Sequence, residues 1–218
     1  MGSAGPNLLS LLAGFVGLSL IVFAFVTMTS FVKLSTIMLI LRNALGTQQA
    51  PPNLVIYAIA LMLTCYIMTP VFNKAYQAVS SDHGHYETVS DYQDALKRAS
   101  VPMAGFMMRF TEPGERMFFA HATEQVWGPD SGLVAAPDDM VVLVPAFLLS
   151  ELRRAFEAGF LLYLPFIAID LIITAVLMAM GMQSVSPTTL SVPFKLFLFV
   201  TVAGWTRLFH GLVLGYAV

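Results

Sequence analysis

Charge is what this sequence has least of. Only 11% of its 218 residues are charged, against 57% hydrophobic, and the mean hydropathy is +0.77. Soluble domains carry about 25% charged residues, so the composition puts the whole chain in the membrane class. No charged side chain occurs from Met1 to Thr29. The positive stretch that opens a secretory signal is therefore missing, and the first apolar run is expected to be retained. Pro6 breaks the myristoylation pattern. A net charge of −2 leaves no basic patch to neutralise phosphates, which excludes nucleic acid as a partner. Cysteine occurs once, at Cys65 inside an apolar run, so no intrachain disulfide can form; a small buried hydrophobe is its expected role.

Catalytic motifs are missing too. There is no HExxH, GxSxG or Walker sequence and no cysteine cluster. No nucleophile–base set stands out, so no catalytic residue, cofactor or metal is expected, and the chain does not read as an enzyme. His83 and His85, with Asp82, come nearest to a metal site but read as a solvated loop. His121 and Glu124 read as surface residues, and His210 near Arg207 as a polar interface residue.

What is present is four long apolar tracts, at about Leu8–Leu41, Leu54–Phe72, Phe160–Met182 and Leu190–Val218. A helix needs about 20 apolar residues to cross a bilayer, and each tract is long enough. The first is too long for one simple span and is expected to bend or leave the membrane. GTQQAPPN joins the first two and GMQSVSP the last two, so each pair reads as a helical hairpin. Lys74 to Met140 differs, with five basic and ten acidic residues. It is the water-facing part. Thr88-Val89-Ser90-Asp91 fits a capping box ahead of a helix that Pro102 is expected to kink or end. The expected fold is all-α and membrane-associated: two long kinked helical hairpins, 1–73 and 141–218, flank a mainly helical polar insert, 74–140. Lys33 and Arg42 flank the first connector and mark it as cytoplasmic, which puts the acidic insert outside.

One segment conflicts with a simple span. SELRRAFEAG, Ser150 to Gly159, lies inside apolar sequence. With about 100° between successive residues, Glu151 and Arg154 fall on one side of a helix, and Arg153 and Glu157 on another. Charge on two faces cannot all turn from lipid, and each charge at the bilayer centre costs roughly 2.5–3.5 kcal/mol. Either the segment solvates its charges at the interface, or neighbouring subunits supply counter-charges. Asp170 lies deeper, and Lys195 falls near its level on the opposite leg of the hairpin. The two read as a proton or ion site, or as an internal or intersubunit ion pair. Gly211 and Gly215, like Ala155 and Gly159, have the spacing that lets helices approach closely. Met178, Met180 and Met182 lead into the second connector, where they either fill gaps or form a pliable apolar rim.

Leu41 to Asn53, LRNALGTQQAPPN, closely resembles the signature of the FliP/SctR family, export-gate proteins of flagellar and virulence-associated type III secretion systems. The resemblance continues through VPAFLLSELRRAFEAGFLLYLPFIAIDLIITAVLMAMGM, SPTTLSVPFKLFLFV and Gly204-Trp205, and covers nearly the whole chain. It implies a homo-oligomer, a pentamer in the family's usual form, assembled with the S and T components and other export-apparatus parts into a pore. That pore would pass unfolded secreted proteins across the bacterial inner membrane and would extend into the periplasm. It also implies a gate loop near 181–187, with Met182, Gln183 and Ser184 at the constriction; the family pattern has three methionines there, and only the first is kept. Ala203 stands where relatives often carry Asp. Lacking the cleaved signal of flagellar members, the chain looks nearer to the injectisome branch. Under this resemblance Glu151, Arg153, Arg154, Glu157, Asp170 and Lys195 hold subunits or hairpin legs in register by charge pairing. The rival reading is a small secondary transporter using Asp170 and Lys195 as a coupling pair.

Overall fold

The computed structural model describes residues 8–47, 50–80, 89–128, 132, 134–182 and 184–217. Their regular structure is helical: α1 (Leu8–Met28), α2 (Phe31–Ala44), α3 (Asn53–Ser80), α4 (Val89–Phe110), α5 (Pro113–Trp127), α6 (Met140–Ala179), α7 (Pro187–Thr201) and α8 (Gly204–Leu214). Among these, α3 and α6 are each long and apolar enough to cross a membrane. Gly14–Met28 with Phe31–Ala44, and α7 with α8, qualify only as bent pairs, with bends of 68° and 61°. The first tract thus breaks, as its length requires. Thr29 holds the break together: its hydroxyl donates to the Phe25 carbonyl at 2.6 Å and accepts from the Phe31 amide at 3.4 Å. One side chain therefore serves a carbonyl at the end of α1 and an amide at the start of α2.

Of the two outcomes expected at Pro102, a kink or an end, the helix does not end there, and α4 runs on to Phe110. Two other sequence expectations are corrected. The fourth tract is not one helix: Ala203 takes the left-handed conformation, φ 53° and ψ 46°, and separates α7 from α8. Cys65 is exposed, not buried. The buried stripe of α3 is Ile56, Ala60, Thr64 and Met68, and Cys65, one residue past Thr64, is turned about 100° off that line. Thr88 and the 82–85 cluster lie outside the described residues.

By packing, the chain divides into two units, Met1–Val32 with Val71–Leu149 and Lys33–Pro70 with Ser150–Val218. In the first, Met107 of α4 packs with Leu143 and Phe147 of α6, and Met28, Phe106, Phe110 and Met140 surround them. Phe106 and Phe147 meet edge to face at 5.8 Å, a favoured aromatic geometry. One face of the apolar start of α6 is therefore covered by protein, while Val141 and Leu149 stay exposed. In the second unit, Leu34, Ile37, Met38 and Leu41 of α2 are buried, as are Ala155 and Phe166 of α6 and Phe199 of α7. Gly159 lies so close to α2 that a Cβ there would sit 2.5 Å from Ile40 Cδ1.

The length of α6 positions the site. Its 40 residues extend about 60 Å, and the hydrocarbon core of a bilayer is about 30 Å thick. Set along the bilayer normal, such a helix would reach well beyond the hydrocarbon. The charged turn at 150–157 falls between the partly covered start and the apolar remainder.

Candidate functional site: the charged middle of α6 and the loop that follows it

On α6 the two pairs of charges separate as helical geometry demands. Glu151 is turned inward and is 1% exposed. Arg154 Nη1, one turn along, stands 3.5 Å from its Oε1, and Lys33 Nζ, from α2, stands 4.0 Å away. The Tyr216 hydroxyl donates to Oε2. A buried carboxylate needs counter-charge and donors, because desolvation alone would exclude it. Here they come from three segments of the chain.

Arg153 and Glu157 are turned outward. Arg153 Nε donates to Glu157 Oε1 at 3.0 Å, and the side chains are 55% and 59% exposed. Phe156 and Phe160, also exposed, flank them. An ion pair set among exposed aromatics suits neither hydrocarbon, which penalises the charges, nor water, which penalises the rings.

Farther along α6, Lys195 Nζ of α7 donates to Asp170 Oδ2 at 2.7 Å. Lys195 is buried, and Asp170 is half-buried, with its other oxygen, Oδ1, enclosed and without a hydrogen-bond partner among the described residues. The pair lies within one chain. Gly46, at the end of α2, packs over Lys195: a Cβ at this left-handed position would lie 2.9 Å from Val192 and 3.9 Å from the ammonium.

The loop after α6 begins with a left-handed Gly181, φ 72°. The Gly181 amide donates to the Met178 carbonyl and the Met182 amide to the Leu177 carbonyl, both at 3.0 Å. This is the Schellman arrangement, which closes a helix and needs a residue without Cβ at its turning point. Met182 and Ser184 are exposed; Gln183 lies outside the described residues. Met178 and Met180 are exposed as well. Pro187 then opens α7 at a position where its missing N–H removes no helical bond. On the surface, His121, Glu124, Arg207 and His210 are all exposed. Among the described residues no three His, Cys, Asp or Glu side chains converge as a metal site.

Sequence reasoning missed Lys33 and Tyr216 as partners of Glu151. Tyr216 did leave a trace: Gly204, Leu208 and Leu212 are the buried residues of α8, and Tyr216 continues their four-residue spacing. Lys33 left none, because its distance from Glu151 depends wholly on how α2 packs.

These features define an all-helical membrane protein whose internal charges are matched within its own chain. Residues 15–212 match the FliP family, and the chain belongs to it; it is thus an export-apparatus protein of type III secretion. It is 51% identical to the probable translocation protein y4yL of Sinorhizobium fredii, over 97% of this chain and 95% of that protein. It is 44% identical to the Yop proteins translocation protein R of Yersinia pestis, over 86% and 87% of the two chains. With the virulence protein YscR of Salmonella typhimurium it shares 40% identity over the same proportions.

Proposed function

We propose that the protein is a non-enzymatic structural subunit of the type III export gate. Several copies, with the S and T components, form a pore in the bacterial inner membrane that extends into the periplasm and passes unfolded proteins. Met182, Gln183 and Ser184 form its constriction. Asp170 with Lys195 joins the legs of the second hairpin inside each subunit, Glu151 with Arg154 forms a charged turn on one leg, and Arg153 with Glu157 meets the neighbouring subunit.

The observation that carries this reading is the outward Arg153–Glu157 pair between Phe156 and Phe160. A protein neighbour satisfies rings and charges together, because it offers apolar surface and a counter-charged fork on one face. Relatives described as translocation proteins support the cargo assignment. The test is purification after co-expression with the S and T components, with copy number read by native mass spectrometry. A closed ring of several copies is expected. A monomer that works alone, with proton-gradient dependence abolished by Asp170→Asn, would favour the transporter instead.

A further inference from the structure

Beyond α8 the chain makes one more anchored contact. Regular helix ends at Leu214, yet Tyr216 is 6% exposed and continues the buried stripe. Its hydroxyl donates to Glu151 Oε2, and its ring lies beneath Lys33 Nζ, 4.3 Å from the ring centroid. One side chain thus touches the buried carboxylate of α6 through its hydroxyl and the ammonium of α2 through its face. Among the described residues Glu151 Oε1 has no hydrogen-bond donor in full geometry, and it faces the charges of Arg154 at 3.5 Å and Lys33 at 4.0 Å. The phenol donor on Oε2 therefore bears directly on where this carboxylate sits.

We propose that Tyr216 is the latch of the second hairpin: it positions Glu151 between Lys33 and Arg154 and by doing so holds α8 against α2 and α6. The leg it fastens is the one that follows the loop after α6, so fastening and release of α8 are governed at a point remote in sequence from that loop. The break at Ala203 makes such control local. Because α8 is separated from α7 by a left-handed residue, it can undock without unwinding α7. A cation against an aromatic face and a phenol–carboxylate hydrogen bond are both strengthened by desolvation, and both are lost together when the ring leaves.

The alternative is that Tyr216 merely fills space, and replacement by Phe separates the two, since Phe keeps the ring and loses only the hydroxyl. In the full-length chain carrying Cys65→Ala to remove the exposed native thiol, Leu212→Cys reports undocking by its rate of maleimide labelling. Adding Tyr216→Phe is expected to raise that rate about tenfold, the scale of one lost hydrogen bond to a charged group. Glu151→Gln, added on top, is expected to contribute much less than it does alone, because both changes remove the same contact. Ultraviolet resonance Raman should show a strongly donating tyrosine signal in the parent that is lost in both Tyr216→Phe and Glu151→Gln, a difference that space-filling would not produce. If the reporter chain does not fold, Tyr216→Phe in the natural sequence is compared by thermal unfolding and is expected to lower Tm by several degrees. A Tyr216→Phe chain with unchanged labelling and unchanged Tm would overturn the proposal, and so would full additivity with Glu151→Gln.

Discussion

Lys195 is the residue whose environment most limits what can be changed around it. It is buried, its carboxylate partner is Asp170, and Gly46 closes over it. Asp170→Ala would leave an ammonium without its counter-charge, a change that costs about 3 kcal/mol for enclosed pairs. The expected outcome is a fall in recovered export complexes, read by co-purification, with Tm lowered. Replacing both partners together, Asp170→Leu with Lys195→Met, removes the orphaned charge and is expected to restore assembly. Restored assembly with export still abolished would assign the pair a transport role instead. Ala203 presents the opposite case, a residue under strain. A left-handed alanine is less stable than glycine there by about 1 kcal/mol. Ala203→Gly is therefore expected to raise Tm by about 2–4 °C, and an unchanged Tm would show that the segment relaxes.

At the scale of elements, close approach is what glycine provides. A Cβ on Gly204 would meet the Phe199 ring at 2.2 Å, and Phe199 is itself packed against Phe166 and Trp205, with centroids 6.3 and 5.3 Å away. Gly204→Ala must push that ring out of its place, at a cost of about 1–3 kcal/mol. Thermal unfolding is expected to show the loss, and Phe199→Leu in the same chain to recover part of it. No recovery would mean that the backbone, not the ring, limits the position. Gly159 plays the corresponding part between α6 and α2. The spacing of Ala155 and Gly159 marked a close packing face in the sequence; what it packs against is Ile40 of the same chain. Among the described residues nothing lies within 4 Å of where a Cβ on Gly211 would stand.

For the whole molecule, the decisive fact is how much apolar surface a single chain leaves uncovered. Exposed large hydrophobic residues run along α1, α3, α6 and α7, and α6 set along the bilayer normal would reach well beyond the hydrocarbon. Under the proposed assembly, exchanging the outward pair, Arg153→Glu with Glu157→Arg, preserves the intrahelical contact but reverses the charge offered to a neighbour. Recovery of multi-copy complexes is expected to fall at least tenfold while the isolated chain keeps its Tm. Unchanged recovery would place the pair in water. Met182→Gly is expected to leave assembly intact and to raise the conductance of small ions through the pore; an unaltered conductance would remove Met182 from the constriction.

The sequence by itself determined the membrane class, the helical hairpins, the bend in the first tract and the two-faced charge pattern of 150–157. Each of these follows from composition or from the 3.6-residue period, and both act locally. The family was legible for the same reason, in contiguous motifs such as LRNALGTQQAPPN. Only the tertiary structure decided which charged face turned inward, that Asp170 and Lys195 meet within one chain, and that Lys33 and Tyr216 enclose Glu151. Those outcomes depend on distances between segments far apart in the chain; hairpin register set Lys195 near the level of Asp170, but no spacing rule chose between an internal and an intersubunit pair. The break at Ala203 escaped notice because alanine favours helix by propensity, and its left-handed φ is not marked by a glycine or asparagine at that position in the sequence.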